Sequence, residues 1–243
     1  MRSLYVVVLG LVACSGGGTP TVDAGPMVDT SCGFDCAAQQ KYGLIAGRCF
    51  EYSDTNVVVD PPALAAEVLA KRDVEGVEVM DVAYTRTGNP VMRDLFTIVN
   101  GELKLVRREF GASGTSVAYK DSTGKLTGVK WLTPTTGAGE NFSTMTEADV
   151  IFPPAARVTT TTTYRVTTNE PTGTDLRFPI GTYDAGVRLI LTETPDHGND
   201  SRRTWVPGVG FVMLTSPLAT TGPKLEYSLQ KVKDTPDGGP CGF

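Results

Sequence analysis

The chain has a single histidine, and it lies where a small catalytic or metal site could assemble. His197 sits in TETPDHGNDSRR (residues 192–203), with Glu193, Asp196 and Asp200 around it and Trp205 just beyond. In that company an imidazole could act as a general base oriented by Asp196 or Asp200, or as a metal ligand beside the carboxylates. The surrounding residues argue for something plainer. Pro, Asp, Gly and Asn form turns for local backbone reasons, so the stretch reads as a polar loop between two strands. No Gly-x-Ser-x-Gly elbow and no His-Glu-x-x-His pair supplies a nucleophile or a zinc site, and the spacing does not match the twelve-residue calcium loop. Trp205 opens WVPGVGFVML (205–214), which reads either as an aromatic lip on a cleft or as a strand broken at Pro207-Gly208. Asp196, His197, Asp200 and Trp205 therefore stand as a candidate loop or cleft site. No catalytic residue is assigned, and no metal or cofactor is expected.

The remaining reactive side chains are five cysteines: Cys14, Cys32, Cys36, Cys49 and Cys241. Cys32-x3-Cys36 has tolerable zinc spacing, but a closed zinc site usually has two tight pairs, and Cys49 and Cys241 do not make a second one. Cys14 stands apart from the others. It follows Met1-Arg2 and an uncharged apolar run, Leu4 to Val12. Such a run rises only about 15 Å as a helix, half the thickness of a bilayer core, so it reads as a secretory signal rather than a span. Leu11-Val12-Ala13-Cys14 resembles the lipobox of bacterial lipoproteins, flanked by small residues at Gly10 and Ser15. The resemblance implies cleavage after Ala13 and acylation of Cys14, with palmitate among the acyl chains. Ser15, where a retention aspartate would stand, implies the outer membrane.

On this reading residues 1–13 are a signal peptide and 14–31, rich in Gly, Ser, Thr, Pro, Asp and Ala, a flexible tether. Cys32, Cys36, Cys49 and Cys241 are then an even set in an oxidising compartment and read as disulfides, with three pairings open. If both bridges form, Cys241 pairs with one of the other three and staples the tail (234–243) to a domain spanning 32–233. A loop of about 190 to 210 residues closed this way contributes roughly 4 to 5 kcal/mol in the chain-entropy model.

The elements that must carry these residues are overwhelmingly β. Val91 to Val99 places Met92, Phe96 and Ile98 on one face, interrupted by Asp94, and Asn100-Gly101 then gives the strongest short-range hairpin signal. Glu102 to Phe110 returns with Leu103 and Leu105 on one face and Lys104 and Arg108 on the other. Asn89-Pro90 marks a turn, and Thr115–Lys120 and Leu126–Leu132 read as a hairpin across DSTG (121–124). The run RVTTTTTYRVTT (157–168) has high β propensity and suits a strand with one wet face. Four more strands follow, at 186–193, 203–206, 210–215 and 225–233. Helix is a candidate over 32–42, and 63–71 reads as helix or strand. The expected fold is mainly β: one antiparallel curved sheet, open barrel or sandwich, with at most one or two short helices.

After Arg2 is lost with the signal, 21 Lys and Arg face 27 Asp and Glu, a balance of −6. That argues against nucleic acid, and no basic stripe with aromatics contradicts it. The expected function is non-enzymatic: an outer-membrane-anchored lipoprotein whose β domain binds an envelope protein or joins a surface assembly. The alternative is a carrier for a lipid or other apolar ligand in a half-barrel, and a hydrolase using residues 193–200 stands third.

Overall fold

The computed structural model describes residues 36–54, 64–154, 156–170, 176–178, 180–183, 186–194, 201–215, 226–235 and 241. Among them one short helix, α1 (Cys36–Tyr42), precedes the strands β1 (Arg48–Asp54), β2 (Leu64–Val68), β3 (Arg72–Val74), β4 (Val77–Arg86), β5 (Asn89–Val99) and β6 (Glu102–Phe110). Next come β7 (Thr115–Lys120), β8 (Val129–Leu132), β9 (Asn141–Phe152), β10 (Ala156–Asn169) and the small pair β11 (Leu176–Phe178) and β12 (Gly181–Tyr183). β13 (Val187–Thr194), β14 (Ser201–Val206), β15 (Gly210–Thr215) and β16 (Glu226–Asp234) complete the order.

The sheet is antiparallel, as expected, and it is closed. From β1 it runs through β16, β15, β14, β13, β10, β9, β7, β6, β5 and β4, and β2 pairs with both β4 and β1. Twelve strands thus form a barrel with no free edge along that path, which removes the pairing liability of an open sheet. Closure depends on the segment that was readable as helix or strand. Leu64, Ala66 and Val68 are buried while Ala65 and Glu67 are half-buried. This alternation fits a strand between two neighbours and would scatter around a helix.

Inward positions are mostly apolar and aromatic, and the wall outside is mostly polar. β10 turns Tyr164 and Val166 inward and Thr159, Thr161 and Arg165 outward. β16 buries Tyr227 and Leu229 between the more exposed Glu226, Ser228 and Gln230. A membrane-spanning barrel has the opposite polarity, with an apolar band facing lipid. Among the described residues no helix is long and apolar enough to cross a membrane.

Helix α1 plugs one end. Tyr42 and Leu44 are buried in the main core, and the Tyr42 hydroxyl donates to the Gly101 carbonyl at 2.6 Å. The Gly208 amide donates to the Lys41 carbonyl at 2.8 Å, and Lys41 Nζ donates to the Pro134 carbonyl. Gly43 makes the approach feasible. Its φ is +72°, and a Cβ there would lie 2.3 Å from the Val209 carbonyl oxygen. At the same end Arg48 forks onto Asp234 at 2.7 and 3.0 Å, and the Cys49–Cys241 disulfide ties β1 to the tail across 192 residues. Cys36 is disulfide-bonded as well.

Three local readings change. Asn89-Pro90 belongs to β5, opposite Arg86 and Thr85, and the turn is Thr87-Gly88, both at positive φ. Leu126–Leu132 makes one bridge to β7, Lys120 with Leu126, and then β8 pairs with β6 instead. Gly128 allows that approach, because a Cβ there would meet the Leu105 carbonyl oxygen at 2.9 Å. Finally, Arg108 is on the same face as Leu103 and Leu105. Leu95 sits opposite Arg107 and Phe96 opposite Leu105, so Val106 is an extra residue in β6. Such a bulge reverses the side-chain parity beyond it.

A smaller core lies outside the barrel wall. Leu95, Val106 and Ala118 point outward, and the β3–β4 hairpin and Leu126 cover them, with Val74 and Val79 completing the cluster.

Candidate functional site

Asp196, His197 and Asp200 lie outside the described residues. Trp205 is described, and it is part of the core rather than the lip of a cleft. It is 1 % exposed, and its ring centroid lies 5.8 Å from that of Tyr42 at the plugged end. Its Nε1–H is buried without an acceptor among the described residues. Among the described residues no group of three or more His, Cys, Asp or Glu is placed to hold a metal ion.

The most unusual chemistry is inside the barrel. Asp94 is the acid that interrupts the apolar face of β5, and it is fully buried. Arg108, turned inward by the β6 bulge, donates to its Oδ1 at 2.6 Å and to Oδ2 at 3.3 Å. Arg203, from β14, donates to Oδ2 at 2.7 Å and to the Tyr84 hydroxyl at 3.0 Å. The Arg203 guanidinium also lies 4.8 Å from the Trp131 ring centroid and 5.3 Å from that of Phe211. Aromatic faces next to a desolvated cation are attractive through the ring quadrupole. Burial by itself would raise the Asp94 carboxyl pKa, but the two guanidiniums outweigh it and hold the group below the ordinary carboxylate range.

This cluster is built to stay put. Both carboxylate oxygens are engaged by guanidiniums, which do not lose their proton at any ordinary pH. Phe96, Trp131 and Phe211 pack around it with ring centroids 5.0 to 6.3 Å apart. Phe96 and Trp131 are fully buried, with Phe211 at 4 % exposure, so the lumen at this level is filled with side chains. An apolar cargo would have to displace them.

The outer wall carries charged side chains of both signs. Most of its described charges are satisfied locally. Arg72 and Arg93 share Asp81, Lys120 bridges Glu75 and Asp149, and Lys231 meets Glu51 at 3.1 Å. Asp149 also takes Arg157, and that hydrogen bond, ahead of the other charges nearby, holds its carboxyl below the ordinary range.

One face departs from this pattern. Arg165 on β10, Arg188 on β13 and Arg202 on β14 all point outward, and none has an ion-pair or hydrogen-bond partner among the described residues. The register sets them side by side: Arg165 is opposite Thr192, Arg202 opposite Ile190, and Arg188 two residues before Ile190 on the same strand. With strands about 4.8 Å apart and about 3.3 Å of rise per residue, their Cα atoms span roughly 8 to 15 Å. Between Arg188 and Arg202 lies a concavity of about 60 Å³, walled by Thr204, Met213 and Thr215, with Glu226 at its side. Each arginine is legible as outward from its own strand. Their grouping is not, because it depends on how β10, β13 and β14 pair.

No protein-family model matches the chain, and no curated protein matches it. A "putative lipoprotein" of Parabacteroides distasonis, solved by crystallography, is similar over 79 % of this chain and 97 % of its own, at 12 % identity and a TM-score of 0.43. At that distance the likeness carries no argument about family or function.

Proposed function

We propose that this protein is an acyl-anchored lipoprotein of the cell envelope, held at the outer membrane through Cys14, whose barrel binds an envelope protein through its outer wall. The observation that carries the binding half is the polarity of the barrel. A packed lumen around Asp94, Trp131 and Phe211, inside a polar wall, makes a rigid body that meets other molecules with its exterior. It also weighs against the alternative of an apolar carrier, which needs empty space where these side chains sit. The anchor half rests on the lipobox resemblance at Leu11-Val12-Ala13-Cys14. Two or three acyl chains, at about 0.8 kcal/mol per buried methylene, would hold the domain firmly.

Two measurements in the native cell test the two halves separately. A clickable palmitate analogue should label the wild-type chain and not Cys14→Ser, with the labelled protein banding with outer membrane on a density gradient. Photo-crosslinkers at outward positions such as Thr161, Arg165 and Gln230 should trap a protein of defined mass. Wall positions that capture nothing, together with co-purified lipid by mass spectrometry, would return the carrier to first place.

A further inference from the structure

We propose that the outward face of β10, β13 and β14 is a docking surface for an acidic protein segment, with Arg165, Arg188 and Arg202 as its cations. This deepens the reading of the barrel as a protein-binding module and rests on it. The argument begins with charge. The chain carries a net charge of −5, so three neighbouring cations without partners among the described residues are a local reversal of its field. Elsewhere Arg48, Arg72, Arg93, Arg107, Arg108, Arg157 and Arg203 each sit on a carboxylate of the same chain. The carboxylate partners that Arg165, Arg188 and Arg202 lack among the described residues are what a docked segment would supply.

The side-chain type and the local shape narrow the partner. Guanidinium presents a planar fork that fits a carboxylate with two parallel hydrogen bonds. The concavity between Arg188 and Arg202, at about 60 Å³, is several times the ~15 Å³ that a cavity needs, on the same measure, to hold one water. That is room for the head of one Asp or Glu side chain. Thr204 and Thr215 in its wall bring hydroxyls, and Met213 offers an apolar surface for the adjoining methylene. Glu226 at its side repels an incoming carboxylate, so an anion seated there is held by the attraction of both arginines against that repulsion. Around the arginines, Thr161, Thr163, Thr167 and Thr192 make an even, hydrogen-bonding surface, with the exposed Met145 at its β9 margin. A flat wall with spaced cations and one carboxylate-sized recess suits an acidic protein segment better than a lipid bilayer, which presents no side chain to enter a recess.

The test uses the full chain in uncharged detergent, with a fluorescent oligoglutamate peptide as probe and anisotropy as readout. Wild-type protein should bind the peptide, and binding should weaken as added salt shortens the screening length. The triple variant Arg165→Glu, Arg188→Glu, Arg202→Glu should bind about tenfold or more weakly. Lys125→Glu, on an exposed loop and with the same charge change as Arg202→Glu alone, should leave binding as it was. Arg202→Glu alone, at a solvent-exposed position, gives the same direction with a smaller loss should the triple variant fail to fold. The proposal is overturned if the wild type ignores the peptide or if the triple variant binds it equally well. It is also overturned if phosphatidylglycerol vesicles bind through these arginines more tightly than the peptide does. Cys14→Ser should retain peptide binding, so a failed anchor and a failed docking surface give different results.

Discussion

Asp94 accepts hydrogen bonds from two buried guanidiniums, so removing its charge leaves both cations short of a counter-ion in a lumen that excludes water. Asp94→Asn should destabilise the barrel by about 3 to 5 kcal/mol, read as a lower urea midpoint. Replacing Arg203 by Met in the same chain should recover part of that loss, because apolar groups of similar size often substitute for buried ions at little cost. The pH dependence follows from the depressed carboxyl. Its folded pKa lies below its unfolded value of about 4, so its contribution is complete above that value and is lost as pH falls through the folded one. The stability gap between wild type and Asp94→Asn should therefore be flat near neutrality and narrow only below about pH 4. A gap independent of pH down to acid unfolding would show that the Asp94 charge does not hold the cluster. At this scale the sequence was half legible. An acid on the inward face of an otherwise apolar strand marks something buried and paired. Its partners stand 14 and 109 residues away, and one of them was assigned to the wrong face because a bulge at Val106 leaves no mark in residue type.

Elements are joined at turns, and two glycines separate backbone demand from contact. Gly88 and Gly101 both adopt positive φ, at +78° and +77°. A Cβ at Gly88 meets nothing within 4 Å, whereas at Gly101 it would lie 2.9 Å from Pro134 Cγ. Gly88→Ala should cost about 1 kcal/mol, the penalty of the left-handed conformation alone, and Gly101→Ala measurably more. Thermal unfolding of the two variants checks the difference. Helix α1 depends on the same turn through Tyr42. Burial first, and then the negative charge of Glu102, push the Tyr42 hydroxyl pKa up to about 12. A phenol with a raised folded pKa stabilises the fold fully below its unfolded value of about 10, and that stabilisation is lost as pH rises through the folded value. Tyr42→Phe should lose about 1 kcal/mol at neutral pH with the Gly101 hydrogen bond, and the loss relative to wild type should shrink at strongly alkaline pH. The Asn100-Gly101 hairpin was fully legible, since both residues adopt the positive φ that a type I′ turn requires. The destination of β8 was not, because its one bridge to β7 continues the hairpin locally and its real partner is β6.

For the molecule as a whole, the ring closes through β1, which pairs with β16 at the far end of the chain and with β2 nearby. β2 completes the ring between β1 and β4, and the Cys49–Cys241 bridge fixes the tail beside β1 across 192 residues. In the chain-entropy model a loop of that length contributes roughly 4 to 5 kcal/mol. The variant Cys49→Ser, Cys241→Ser should therefore unfold at a clearly lower urea midpoint, with an unchanged β signature in circular dichroism. An unchanged midpoint would mean that the barrel contacts alone fix the tail.

By itself the sequence determined the class of fold, the main hairpin and the cysteines available for bridging, because these follow from side-chain alternation, turn chemistry and counting. It also carried the lipobox-like pattern Leu11-Val12-Ala13-Cys14, on which the proposed anchor rests and which needs no fold to be read. Tertiary structure alone decided that the sheet closes, that Asp94, Arg108 and Arg203 converge in the lumen, and that Trp205 is core. It likewise decided which outward arginines stand together. The physical reason is common to all four. Each depends on strand register between segments far apart in the chain, and register is set by packing the whole lumen at once, with one extra residue at Val106 enough to turn a charged side chain from solvent to core.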